Sequence, residues 1–259
     1  MCRHAAYIGP PISLGAFALD PPHSLAVQSW KPREQLSATV NADGFGFGWY
    51  LPDGTPGVYL NPLPIWADTN LVHLGRTISS GVLVGNVRSA TPGLGFGLAN
   101  THPFVADGLL FSHNGFIQDF ARTMRATMRA SLPPEVDATV GGNTDSEHLF
   151  ACLRALARDT DDLASAVMRL HDHVGSWARD GAIAVLFNIL VTDGRALYAT
   201  RSSFGHASPS LYVTDADPAF PDGALVASEP LTIGGAWTPV PDRHLVVLMP
   251  GEAPQFRPL

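Results

Sequence analysis

Apolar residues in this 259-residue chain fall mostly into short alternating or continuous runs cut by Gly, Pro and Asn: Arg3 to Ile8, Phe45 to Leu51, Val82 to Arg88, Leu109 to Ile117, Ala182 to Thr192, Ala196 to Thr200, Leu225 to Ser228 and His244 to Met249. Runs of that length and punctuation predict β-strands. Three segments carry helical spacing instead. They are Asp119 to Ala130, Ser146 to Arg158 with Leu149, Leu153 and Leu156 on one face, and Leu163 to Trp177 with Leu163, Val167, Leu170, Val174 and Trp177 in one stripe. A stripe of that kind suits a helix laid on a sheet.

The order of strands, consecutive helices and further strands predicts an α+β layered domain with largely antiparallel sheets rather than a repeating βαβ fold. Sheets stacked face to face need strands that are apolar on both sides. The run from Ala182 meets that need, since Ile183, Val185, Phe187 and Ile189 alternate with Ala184, Leu186 and Leu190. The Pro-rich stretches near Pro10 to Pro22 and Pro52 to Pro64 read as ordered loops, and the helices as clustered mid-chain. With no repeat, low-complexity segment or linker, residues 1–259 are expected to form a single domain.

Composition narrows the function classes. Charged residues make up 15%, and the net charge of −7 rests on 23 acidic against 16 basic side chains with no basic cluster, which argues against nucleic-acid binding. The longest apolar run, Ala182 to Val191, is too short to span a bilayer, and Met1-Cys2-Arg3-His4 has no secretory pattern. A cytoplasmic protein without a membrane partner is expected, with self-association into a homo-oligomer left open. Two cysteines, Cys2 and Cys152, make no disulfide framework, and Cys152 in its apolar stretch reads as a small core residue. His4, His102 and His113 lack zinc-type ligand spacing and are expected to be structural.

Cys2 stands out by position. Removal of the initiator methionine would leave a thiol and a free α-amine on one residue, and an amine with an ordinary pKa of roughly 8 can serve as the base that activates the thiol. On the Met-Cys dipeptide alone, a merely tolerated Cys is the plainer reading. Four further segments change that: Gly85-Asn86-Val87-Arg88-Ser89-Ala90-Thr91-Pro92, Asn100-Thr101-His102-Pro103-Phe104, His113-Asn114-Gly115, and Asn143-Thr144-Asp145-Ser146-Glu147.

Taken in this order behind Cys2, these segments resemble the class II glutamine amidotransferases, over Cys2 to about Phe150 and more weakly through Val226 to Pro230. The resemblance implies the four-layer αββα sandwich of N-terminal-nucleophile hydrolases, with two mainly antiparallel sheets. It implies Cys2 as nucleophile, with the Asn114 side-chain amide and the Gly115 backbone N–H as oxyanion donors. It further implies Arg88, assisted by Thr91, for a glutamyl α-carboxylate and Asp145 for its α-ammonium. No metal or organic cofactor is implied. Beside these stand plainer readings: an Asn-Gly hairpin turn at 114–115, a surface strand residue at Arg88, and a helix N-cap at Thr144 or Asp145. Asp43 is expected either to order the loop near Cys2 or to form an Asp-Gly turn.

Met1 to His4, Asn41 to Gly46 and Ser228-Glu229-Pro230 are similar to the stand-alone branch of the family that serves ergothioneine biosynthesis. That similarity implies hydrolysis of γ-glutamyl-hercynylcysteine sulfoxide through a Cys2 thioester. Ser89 and Pro92 stand where ammonia-supplying relatives commonly have Trp and His, a departure that argues against a loop closing on a bare carboxamide. Trp30, Phe45 and Phe104 are candidates to face a trimethylated betaine, with core packing as the plainer role of each. The alternatives are a glutaminase subunit feeding a separate synthase, an amidase for other acyl groups, and a γ-glutamyl-peptide binding module.

Overall fold

The computed structural model describes residues 1–34, 40–90 and 97–259. Its strands, in chain order, are β1 (Arg3–Ser13), β2 (Phe45–Tyr50), β3 (Pro56–Asn61), β4 (Ser79–Val87), β5 (Phe104–Ala106), β6 (Leu109–Ile117), β7 (Val185–Thr192), β8 (Leu197–Arg201), β9 (Ser203–Phe204), β10 (Tyr212–Thr214), β11 (Ala224–Ala227), β12 (Thr238–Pro239), β13 (His244–Leu248) and β14 (Gln255–Pro258). They form two sheets, in the orders β12-β10-β11-β1-β4-β2-β3 and β14-β13-β8-β7-β6-β5, with β9 attached to β7. The pairings are antiparallel.

Side-chain alternation on these strands sorts the interior into three apolar layers. On β1, Ala6 and Ile8 join Leu110, Leu190, Ala199 and Val246 between the sheets. Ala5 and Tyr7 face the other way, where Phe45, Phe47 and Leu83 meet the short helices Leu14–Ala18 and Leu25–Trp30. On β6 and β7, Phe111, Phe187 and Ile189 form the third layer with the helices Asp145–Ala157 and Leu163–Gly181. Helix, sheet, sheet, helix is the expected αββα sandwich. β7 is buried at every position, as its two-sided apolar pattern requires, and each fully buried Phe or Leu contributes about 1.5–3 kcal/mol.

All eight expected strands occur, although β7 begins at Val185 because Ala182 ends the preceding helix in a left-handed conformation with φ 49°. The Pro-rich stretches differ from expectation. β1 continues through Pro10 and Pro11 to Ser13, and its register with β4 shifts between Ile8 and Ile12, an irregularity where a missing N–H is tolerated. β3 begins at Pro56 on a sheet edge, again a place that suits proline. Short helices also occur ahead of the middle of the chain, and the segment Asp119 to Ala130 is two helices, Phe120–Thr123 and Arg125–Ala130. Phe120, Met124 and Met128, spaced four residues apart, all enter the helix-side core across this break. Among the described residues no helix is long and apolar enough to cross a membrane.

Candidate active site

The two central strands of the first sheet bring the expected residues to one end of the sandwich. His4 pairs with Asn86, Arg3 with Val87 and Ala5 with Ala227, so Cys2 just ahead of β1, Arg88 just past β4 and Ser228 just past β11 are neighbours. Alternation turns His4 and Asn86 toward the second sheet, where Ser112 and Asn114 of β6 face them. The Ser112 hydroxyl accepts from Asn86 Nδ2 at 3.0 Å and meets His4 Nδ1 at 3.3 Å. Asn114 Nδ2 donates at 3.3 Å to Ser228 Oγ, which also accepts from the His4 N–H at 3.0 Å. A single serine oxygen therefore separates the Asn114 amide from the strand that carries Cys2.

Among the described residues, Oδ1 of Asn86, Oδ1 of Asn114 and Nε2 of His4 are buried without a hydrogen-bond partner. Unsatisfied buried polar atoms are costly, and three of them at one place mark a site that a ligand or water completes. The Asn114 amide turns through half a circle at little steric cost, which exchanges its acceptor for its donor.

Asn114 and Gly115 lie within β6, paired with Asn188 and Phe187, not in a hairpin turn as the dipeptide alone suggests. The glycine answers to space instead. A Cβ at position 115 would fall against the Leu186 carbonyl oxygen and His113 Nε2. Alternate N–H groups of a strand point to the same side. The His113 N–H donates to His102 Nδ1 at 3.4 Å and the Ile117 N–H to Asp145 Oδ2 at 2.7 Å, so the Gly115 N–H between them faces that side too. Asp145 is thereby tied to the strand edge that carries the candidate oxyanion donor.

Asp145 is the first residue of its helix, whereas Thr144 is the cap, accepting from the Glu147 N–H at 3.2 Å. The other Asp145 oxygen, Oδ1, accepts from the Ser146 N–H at 2.7 Å. On the opposite side Arg88 is 4% exposed, a buried cation and not a surface strand residue. Its N–H donates to Gly44 O at 2.8 Å and its Nη1 to Asp43 O at 3.3 Å. Asp43 does order this loop, since its Oδ2 accepts from the Ala90 N–H at 2.8 Å and its own N–H donates to Arg88 O at 3.0 Å. The Cys2 thiol donates to Ser89 O of the same loop at 3.8 Å. Thr91 and Pro92 lie outside the described residues.

The comparisons with known proteins bear on this arrangement. Residues 16–220 match the family model described as glutamine amidotransferases class-II. The chain belongs to the class II glutamine amidotransferases. It is 32% identical over 246 residues, 95% of each chain, to a protein of Mycolicibacterium smegmatis named gamma-glutamyl-hercynylcysteine sulfoxide hydrolase. A glutamine aminotransferase class-II domain protein from Silicibacter pomeroyi superposes with a TM-score of 0.71 at 26% identity, covering 99% of both chains. The allosteric regulatory enzyme of purine biosynthesis shares the fold, with a TM-score of 0.66 at 14% identity over 99% of this chain and 49% of the other.

In this class II amidotransferase the histidines hold the layers together. Burial, reinforced by Arg3 and His113, pushes His4 down to about 3, and burial likewise lowers His102 and His113. Neutral His113 joins β6 to the helix through Ser146 Oγ at 2.9 Å and to β7 through Leu186 O at 2.9 Å. Phe45 and Phe104 pack in the outer cores, and Trp30 is exposed at a helix end. Cys152 is in the helix-side core, where burial raises its thiol to about 12.

Sequence reasoning missed the group that anchors the N-terminus. Arg3 donates from Nη1 to Glu229 Oε1 at 3.2 Å, and His23 Nε2 lies 2.7 Å from Glu229 Oε2. The N–H groups of Arg33 and Glu34 also donate to Glu229, at 2.9 and 3.1 Å. Burial would raise the Glu229 carboxyl, but His23, these two N–H groups and Arg3 outweigh it and hold it at about 2. The signal available in the sequence was the Ser228-Glu229-Pro230 segment, which carries the residue but not its partners.

Proposed function

We propose that this chain hydrolyses the γ-glutamyl amide of γ-glutamyl-hercynylcysteine sulfoxide, releasing glutamate and hercynylcysteine sulfoxide in ergothioneine biosynthesis. The observation that carries the reading is the meeting of Cys2, Arg88 and Asn114 at one end of the facing sheets, in a chain whose mycobacterial relatives carry that hydrolase name. It acts as a single-domain cytoplasmic enzyme without a metal or organic cofactor.

In this mechanism Met1 is removed, and the α-amine of Cys2 takes the thiol proton. Burial, with Arg3 adding to it, lowers the chain-terminal ammonium at Met1 more than Cys2 and Asp43 raise it. The thiolate attacks the γ-carbonyl while the Asn114 amide and the Gly115 N–H hold the oxyanion. The C–N bond breaks as the ammonium returns its proton to the departing amine, leaving a γ-glutamyl thioester that water hydrolyses. Arg88 pairs the glutamyl carboxylate and Asp145 its ammonium, because both ligand charges lose water on binding, and Thr91 is proposed from the family resemblance to assist Arg88.

The test is kcat/KM for the sulfoxide, glutathione and glutamine on one preparation of known intact mass. The sulfoxide is expected to be cleaved fastest, by protein lacking Met1, and Cys2→Ala to end turnover while binding persists. Equal or faster turnover of glutamine would support an ammonia-supplying role instead. Retention of Met1 on fully active protein would overturn the mechanism.

A further inference from the structure

We infer that the cavity lined by Glu34, Arg201, Ser208, Ser210 and Tyr212 receives the amine leaving group, and that it selects a leaving group bearing both a cation and a carboxylate. The inference rests on the amidohydrolase reading and adds to it a second subsite with its own chemistry. The cavity measures about 380 Å³, within the size range of small-molecule sites.

Its position follows from the register of the first sheet. Tyr212 pairs with Ala227, and Ala227 with Ala5. At a strand spacing of about 4.8 Å, two steps place this wall roughly 10 Å from β1, the reach of an extended group of two or three residues. Ser210, two positions ahead of Tyr212, lies level with Glu229 and Arg3 at the Cys2 end. Its hydroxyl donates at 2.8 Å to the carbonyl of Ser228, whose own hydroxyl meets Asn114. From the second sheet, Asn188, the pairing partner of Asn114, donates to the carbonyls of Pro209 and Ser210 at 3.2 and 3.3 Å. One wall of the cavity is thus bonded to both the nucleophile side and the oxyanion side of the site.

The lining carries one anion and one cation, each held by its neighbours. The Tyr212 hydroxyl reaches both Glu34 carboxylate oxygens at 2.9 Å, and the Glu34 N–H is fixed on Glu229. Arg201 donates from Nε to Pro209 O at 2.9 Å and from Nη1 to Val240 O at 3.1 Å. Five donors in a rigid fork leave Nη2 to bind a carboxylate once two others are spent. A carboxylate of Glu34 beside a phenol ring is a receptor for an ammonium or quaternary ammonium group. Ammonia, the leaving group of glutamine, would occupy almost none of this space and draw no binding energy from it.

The test separates leaving-group charge from γ-glutamyl hydrolysis itself. Glutamate release is followed on the full-length enzyme with γ-glutamyl-lysine joined through the lysine α-amine, γ-glutamyl-norleucine and γ-glutamyl-methylamide. These supply a cation with a carboxylate, a carboxylate alone, and neither. The parent enzyme is expected to favour the lysine over the norleucine compound by about tenfold in kcat/KM, the effect of one charge-assisted bond. Glu34→Gln is expected to bring that ratio to about one. A parent ratio near one, or a ratio unchanged in Glu34→Gln, would overturn the subsite while leaving the hydrolase reading intact. Failure of the parent enzyme to release glutamate from any of the three would overturn the reading beneath it.

Discussion

Arg3 donates from Nε to the carbonyl oxygen of Cys2 at 2.7 Å while its Nη1 is paired with Glu229. The backbone of the proposed nucleophile is therefore tied to a carboxylate more than 220 residues away in sequence, and both side chains of the ion pair are at most 1% exposed. Loss of one member of such a pair leaves the other charge buried and costs about 3–5 kcal/mol. Glu229→Leu is expected to lose stability on that scale, and the double substitution Arg3→Met with Glu229→Leu to recover part of it. Urea midpoints compare the two. A single variant as stable as the parent would show that the pair carries no structural weight.

Asn114→Ala removes the proposed oxyanion donor and is expected to lower kcat by roughly 100-fold to 1,000-fold with little change in KM. Arg88→Ala should instead act chiefly through KM. If Asn114→Ala altered KM alone, the amide would be a binding group.

Gly115→Ala places a methyl group against the Leu186 carbonyl and is expected to cost about 1–3 kcal/mol and to displace the N–H at the site. Gly141→Ala is the control, because a Cβ there meets nothing within 4 Å. Thermal midpoints near parity for the two variants would show that β6 and β7 separate more easily than their spacing implies.

Stability should fall as pH is lowered from about 6.5. Burial holds His4 at about 3 and His171 at about 4, so between 6.5 and those values the unfolded chain binds protons that the folded chain refuses. Glu229 adds to the loss between 4.5 and about 2, where its carboxylate is protonated in the unfolded chain first. Urea midpoints at pH 7.5, 5.5 and 4 should therefore descend in that order. A flat profile would mean that these histidines reach solvent in the folded protein.

The layered fold was legible because alternation and two-sided apolar runs leave few choices, and β7 is the plainest case. Strands that start at proline or span two or three residues, such as β3, β9 and β12, carry too little pattern to be read. Cys2, Arg88, Asn114 and Asp145 were named as candidates through the resemblance of the segments that carry them to the class II glutamine amidotransferases. The strand conformation of Asn114-Gly115 was not legible, because the contact that fits Gly115 against the neighbouring strand involves Leu186, 71 residues on. The roles of Ser112 and Ser228 depend on partners that only sheet docking supplies, and the His23–Glu229 pair joins the segment ahead of the helix Leu25–Trp30 to the chain just past β11, so none of these contacts was visible in the sequence.

The Ser112 hydroxyl that joins Asn86 and His4 to β6 makes activity a measure of tertiary assembly. Cys2 precedes a strand of one sheet and Asn114 lies in the other, so neither sheet alone has both the proposed nucleophile and its proposed oxyanion donor. A chain with complete secondary structure but undocked sheets would be catalytically silent. Pairings as distant as β1 with β11 carry a loop-closure cost that slows folding. Recovery of glutamate release after dilution from denaturant should therefore lag behind recovery of far-ultraviolet circular dichroism, and the interval between the two would time the closing of the sandwich.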